Sequence, residues 1–257
     1  MAHALITGAS AGIGRAFARL LAREGYHPVM VARRRDRLRE LQREIDNEFG
    51  VSATVLVEDL TDPQAPARLV RELAERDIEV ELLVNNAGFS IREAFLDTDW
   101  SVHANTLQVM VTAVTELSHR LAPAMRERGR GHIINVSSLA ALVPTAPGLL
   151  YTGVKSYVLH FSEALDMELK PHGVHVTALC PGFTWSEFHD VMGNRERMNR
   201  LPKLLWTTAE EVAEAGYRGV RAGRPVVMPG LPNKLITGAA RMMPEAVRYR
   251  LGRRADL

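Results

Sequence analysis

Seven short apolar runs, at 4–7, 28–32, 54–57, 82–84, 132–136, 174–179 and 225–228, alternate with stretches of helical spacing, and this alternation constrains the fold more than any other feature. The runs are rich in β-branched residues and apolar on both faces, as strands inside a parallel sheet must be. The stretches between them, such as Leu38, Leu41, Ile45 and Phe49, or Val109, Ala113, Leu117 and Leu121, have the spacing of helices that bury one side. Parallel strands need crossovers, and right-handed crossovers through helices lead to an α/β fold, an open, doubly wound parallel sheet with helices on both faces. Ligands of such sheets sit beyond the carboxyl ends of the strands, so chemistry is sought there.

At 257 residues the chain is long enough for a large core, and no linker, repeat or low-complexity tract divides it, so a single domain over 1–257 is expected. The 32 basic and 30 acidic residues leave a net charge of +2, too little for a nucleic-acid footprint. Cys180 has no second cysteine to pair with, no export signal precedes the first strand, and no run is long enough to span a bilayer. A cytoplasmic chain is expected. The glycosylation match at Asn135, Val136 and Ser137 sits in an apolar strand and is read as chance.

Directly after the first strand come Thr7, Gly8, Ser10, Gly12, Ile13 and Gly14, and a helix opens at Ile13. Glycines at a strand-to-helix turn let the backbone approach a phosphate, whose charge then faces the positive helix end. A tight structural turn is the alternative, made less attractive by the position of the motif at the head of an alternating chain. Where a NAD site places a carboxylate after the second strand, this chain has Arg33, Arg34 and Arg35. Guanidinium groups suit a 2′-phosphate, so NADP(H) is expected over NAD(H), with Arg33 the leading contact and Arg34 the second. Otherwise these arginines form a solvated helix start capped by Asp36.

Tyr151 and Lys155 are one helical turn apart on a stretch whose apolar side is Val154, Val158, Phe161, Leu165 and Leu169. A phenol is a sluggish acid at neutral pH, and a neighbouring ammonium, helped by a positive nicotinamide, draws its pKa down. Alone, the pair reads equally as a solvated contact. It gains weight from Ser137 and Ser138 at the end of the strand 132–136, where Ser138 can donate to a substrate oxygen, and from Asn85, Asn86, Ala87 and Gly88 after the strand 82–84.

With these motifs in this order, TGxxxGxG at 7–14, NNAG at 85–88, the serine strand, YxxxK at 151–155 and Pro181-Gly182, the sequence resembles the short-chain dehydrogenase/reductase family over about residues 2–230. The resemblance implies a seven-stranded sheet of order 3-2-1-4-5-6-7 and a catalytic set of Asn105, Ser138, Tyr151 and Lys155. It further implies Asp59 and Leu60 near an adenine, Thr184 near a nicotinamide amide, and a homodimer or homotetramer. In this reading Ser138 and Tyr151 polarise a carbonyl, Tyr151 delivers the proton, Lys155 grips the nicotinamide ribose, and Asn105 kinks its helix and holds a relay water. An exposed or capping asparagine is the alternative for Asn105. The small-molecule substrate is then a carbonyl or alcohol. A non-catalytic NADP(H) sensor is the alternative function, disfavoured by the intact serine, tyrosine and lysine.

The stretch 181–207 lacks a clear period and carries Phe183, Trp185, Phe188, Met192, Leu204, Leu205 and Trp206, which suits a lid over an apolar pocket, or else a core-packed or subunit-facing segment. The nine histidines include no pair at metal-protease spacing, His172 and His175 falling at a helix exit, so no metal is expected. Ser138 lacks the flanking glycines of a nucleophile elbow, which argues against acyl transfer. A C-terminal extension, 231–257, mixes Leu235, Ile236, Met242, Met243, Val247 and Leu251 with Arg241, Arg248, Arg250, Arg253 and Arg254. It is expected to dock on its own body or on another subunit, with peripheral membrane contact as the alternative.

Overall fold

The computed structural model describes residues 1–91, 93–142, 149–185, 206–244, 246–247 and 249–250. Strands β1 (His3–Thr7), β2 (His27–Ala32), β3 (Thr54–Val57), β4 (Val80–Asn85), β5 (Gly131–Val136) and β6 (Val174–Leu179) alternate with helices α1 (Gly12–Arg23), α2 (Arg35–Phe49), α3 (Ala65–Glu75), α4 (Trp100–Leu107), α5 (Ala113–Glu127) and α6 (Leu149–Leu169). Two three-residue strands, β7 (Phe183–Trp185) and β8 (Trp206–Thr208), precede α7 (Ala209–Arg221), β9 (Val226–Val227) and α8 (Leu231–Met242). The main sheet is parallel, seven-stranded, and runs β3-β2-β1-β4-β5-β6-β9. That is the expected order. Its last strand is ninth in the chain because β7 and β8 pair with each other in a separate parallel ladder, Phe183 opposite Trp206 and Trp185 opposite Thr208.

Adjacent residues of each strand serve opposite faces, which is why the strands read as apolar throughout. Ile6, Leu82 and Ile134 join Phe17, Leu21 and Leu38 of α1 and α2 and Val212 of α7 in one core. Leu5, Leu83 and Ile133 join Leu69 of α3, Leu117 of α5 and Val154 of α6 in the other. The sheet thereby pins α1 and α6, the carriers of the glycine turn and of the Tyr-Lys pair, above its carboxyl edge.

Two local features shape that edge. Between α4 and α5 the helix widens into a π-turn at Gln108–Thr112, closed by the Ala113 amide donating to the Gln108 carbonyl, and such an extra residue bends a helix. At the start of α7, Thr208 and Glu211 form a reciprocal capping box, the Glu211 amide donating to Thr208 Oγ1 at 3.1 Å and the Thr208 amide to Glu211 Oε2 at 2.8 Å. That box fixes where β8 stops. Among the described residues no helix is long and apolar enough to cross a membrane.

Candidate active site

From Thr7 the chain turns through Gly8 at φ +69° and Gly12 at φ +51°, left-handed values that favour glycine, and enters α1. At Gly14 a Cβ would overlap the Gly8 carbonyl oxygen, so the helix meets the turn too closely for any side chain. Ala11, the N-cap of α1, gives no side-chain hydrogen bond to the first helical amides. The N–H groups of Gly12, Ile13 and Gly14 therefore face outwards with the positive end of the helix dipole, a seat for an anion.

The arginines after β2 lie at different distances from this turn. Arg34 is the closer: its Nε and Nη2 donate to Ser10 Oγ at 3.1 and 3.0 Å, and it is itself the N-cap residue of α2, with Asp36 inside the first turn rather than capping it. Arg33 is exposed, its Nη1 lying 3.8 Å from Asp59 Oδ2. Leu60 is buried in the core between α3 and the sheet. A pocket of about 520 Å³ opens beside Ser10, Ala11 and Gly12, with Arg15, Arg37 and Trp185 in its wall. Arg15 and Arg37 were missed from the sequence, although Arg15 directly follows Gly14 and Arg37 follows the basic run; surface helix arginines are too common for that signal to stand out.

The NNAG segment braces the turn. Thr7 Oγ1 accepts from the amides of Asn86 and Ala87 at 3.0 Å each, and Asn86 Nδ2 donates to the Thr7 carbonyl at 3.0 Å. Gly88 lies against Met110 at the head of the π-turn region. Beneath them runs a buried polar chain: Asn85 Nδ2 donates to Asn135 Oδ1 at 2.8 Å and Asn135 Nδ2 to Ser162 Oγ at 3.0 Å, joining β4, β5 and α6. Asn135 is fully buried, so it is no glycosylation acceptor in the folded chain.

Ser138, Tyr151 and Lys155 converge at the end of β5. Ser138 is hydrogen-bonded to the Tyr151 hydroxyl, and its Oγ also accepts from the Ala140 amide at 3.1 Å, which orients it. Lys155 Nζ lies 5.5 Å from the centre of the Tyr151 ring and donates to the Val136 carbonyl at 2.8 Å, while the Lys155 carbonyl accepts from Ser137 Oγ at 2.7 Å. Burial pushes the Tyr151 phenol up to about 12, partly opposed by its bond to Ser138. Burial likewise pulls Lys155 down from 10.5 to about 8, partly opposed by Cys180. Within the chain alone, then, burial sets the direction, and the expected lowering of the phenol does not appear. Tyr151 is a protonated acid at neutral pH, the form that can give a proton away.

Asn105 lies on α4, exposed, one turn before the π-turn, and its side chain makes no hydrogen bond among the described residues. Pro181 accepts from the Leu139 amide at 2.9 Å, which ties the segment after β6 to the serine corner. Gly182 backs onto Asn233 of α8, leaving no room for a Cβ. Thr184 is buried in β7 and donates to the Gly182 carbonyl at 3.1 Å. Trp185 and Trp206 stack at 4.1 Å between ring centres, closing the two ends of the stretch expected to be a lid. Phe188, Met192, Leu204 and Leu205 of that stretch lie outside the described residues. So do Arg248, Leu251, Arg253 and Arg254 of the C-terminal extension, together with the side chains of Ile236 and Arg241. Among the described residues no three His, Cys, Asp or Glu side chains cluster as metal ligands would.

Comparison with known proteins agrees with this geometry. The family model described as short chain dehydrogenase matches residues 2–196. The chain is 34 % identical over 217 residues to a serine 3-dehydrogenase of Rhizobium radiobacter, covering 81 % of this chain and 84 % of the relative. Among solved structures it is similar to a short-chain dehydrogenase from Sphingobium yanoikuyae in complex with NADPH, at TM-score 0.83 and 30 % identity, covering 96 % of this chain and 97 % of that one. It is also similar to a bulky-bulky ketone specific alcohol dehydrogenase from Comamonas testosteroni, at TM-score 0.78 and 29 % identity, covering 96 % of each chain.

Proposed function

The chain belongs to the short-chain dehydrogenase family, and on that premise we propose that it transfers a hydride between NADP(H) and the carbonyl or secondary alcohol of a fairly apolar small molecule, with Tyr151 as general acid and base. The observation that carries this reading is the Ser138 hydrogen bond to Tyr151 beside the Lys155 ammonium. When bound, the nicotinamide supplies or accepts the hydride.

The residues present fit such a nucleotide. The uncapped amides of α1 suit its pyrophosphate, and Arg34 and Arg33 suit a 2′-phosphate. The NADPH held by the Sphingobium relative points the same way. In reduction, Ser138 and Tyr151 hold the carbonyl oxygen between two hydroxyl donors, and the Tyr151 proton moves to that oxygen as it gains charge. The phenolate left behind is stabilised by the Lys155 ammonium. In oxidation the same groups work in reverse. Asn105, one turn before the bend of its helix, is proposed to order a water leading towards Lys155.

The named relatives act on molecules as different as serine and bulky ketones, so it is the chemistry and not the substrate that they share. An apolar substrate is supported by Phe183, Trp185 and Trp206 at the foot of the stretch beside the site. The reading is tested by NADPH oxidation against a panel of ketones and aldehydes; turnover supports it, and tight NADPH binding without turnover on any of them makes the protein a sensor instead.

Arg33→Asp separates the two nucleotides. Losing a charge-assisted contact worth about 1.5–3 kcal/mol and adding a repelling carboxylate should weaken NADPH binding by roughly 10- to 100-fold while leaving NADH unchanged. Titration of each nucleotide by fluorescence reads this directly. An unchanged preference in Arg33→Asp, together with a lost preference in Arg34→Ala, would assign the phosphate to Arg34 alone.

A further inference from the structure

Among the described residues of helix α8 the buried side chains are polar and the exposed large apolar ones face outwards. Asn233 and Thr237 are each 3 % exposed, Asn233 Nδ2 donating to the Pro229 carbonyl at 3.0 Å and Thr237 Oγ1 to the Asn233 carbonyl at 2.7 Å. Leu231, Leu235 and Met242 are 68, 67 and 88 % exposed. With Gly238 they fall on one helix face. Beyond the helix Met243, Val247 and Tyr249 are exposed as well. A surface helix serving only its own core has the opposite arrangement.

Charge distinguishes what covers this face. Residues 231–257 hold six of the 32 basic side chains and two of the 30 acidic ones, a net charge of +4 in a chain whose total is +2, so residues 1–230 are net −2. Lys234 and Arg250 are exposed among these cations. Two copies meeting through this face would set exposed Lys234 and Arg250 of each against the like charges of the other. An anionic lipid surface complements both features: apolar side chains sink into the headgroup and acyl boundary while lysine and arginine sit over the phosphates.

We propose that α8, with Met243, Val247 and Tyr249 after it, docks the protein on an anionic membrane surface. The docking does not depend on the proposed reaction, but it bears on it. Asn233, on the inner side of α8, abuts Gly182 at the entry to β7, so a docked protein holds that edge of its site about one helix diameter, ~10 Å, from the lipid. A lipophilic carbonyl compound then reaches the site from the membrane.

The test is co-sedimentation of the full chain with large vesicles of phosphatidylcholine, with and without phosphatidylglycerol. The expected result is at least about tenfold stronger binding to the anionic vesicles, released by added salt, and lost in Leu235→Glu/Met242→Glu with melting temperature and NADPH affinity retained. Should that double variant not fold, the exposed charge reversals Lys234→Glu and Arg250→Glu must together weaken binding to the anionic vesicles. Equal binding to both vesicle types, no binding to either, or charge reversals without effect would overturn the proposal. So would sedimentation velocity showing that Leu235→Glu/Met242→Glu splits an oligomer while the wild type ignores vesicles, which would give the face to a second copy.

Discussion

Tyr151→Phe should lower NADPH-dependent carbonyl reduction by about 10²- to 10⁴-fold, the usual worth of a positioned acid. NADPH affinity should stay within about threefold, less than 1 kcal/mol. The phenylalanine ring keeps the volume that packs beside Val154 and Leu165 in the core under α6, so the fold has no reason to change. What is lost is the one proton held next to the Ser138 hydroxyl. Because Tyr151 is protonated up to about pH 12 in the chain alone, wild-type reduction is not limited by this group at neutral pH. A variant that keeps wild-type turnover would move the acid elsewhere. Ser138→Ala would then be the next substitution to make.

Lys155→Met should affect activity and stability in different ways. Activity should fall by about 10²-fold or more, since the phenolate formed at Tyr151 loses the ammonium beside it. The wild-type rate of reduction should itself decline as pH rises through about 8, where the buried ammonium gives up its charge. Stability runs the other way. The folded-state pKa of Lys155 is below the unfolded one, so the fold carries the cost of burying the charge at pH values under about 8 and sheds it between about 8 and 10.5. That shift corresponds to a cost on the order of 3 kcal/mol. Over the same pH window urea unfolding should show the wild type gaining on Lys155→Met. A difference that is flat with pH would mean that Lys155 titrates normally, and the proposed pH limit on activity would fall with it.

The sheet was legible because parallel strands buried on both faces advertise themselves: the run at 132–136 and the observed Gly131–Val136 differ by one residue. The glycine turn and the order of its motifs were legible for a related reason, as positive φ and close backbone approach admit few residue types. Strands β7 and β8 were not. Three residues are too few to show alternation, and their pairing joins residues more than 20 positions apart. The π-turn was also hidden, since Val109, Ala113 and Leu117 keep ordinary helical spacing across it and all three are buried. The contact of Arg34 with the glycine turn was hidden because only tertiary packing brings Ser10 to it. The sign of the phenol shift depended on burial, which no spacing of Tyr151 and Lys155 reveals. In the C-terminal extension the mix of apolar and basic residues did not say which side of α8 faces in; Asn233 and Thr237 are buried while Leu231, Leu235 and Met242 are exposed.

The most direct test of hydride transfer by this chain is to supply NADPH deuterated at the reacting carbon with a panel of apolar ketones, and to weigh the alcohols by mass spectrometry. Hydride transfer by this chain puts deuterium on the carbinol carbon of at least one product, delivered by the wild type and not by Tyr151→Phe. Tight binding of the labelled nucleotide with no deuterium in any alcohol would contradict it and leave a protein that reads NADP(H) without using it.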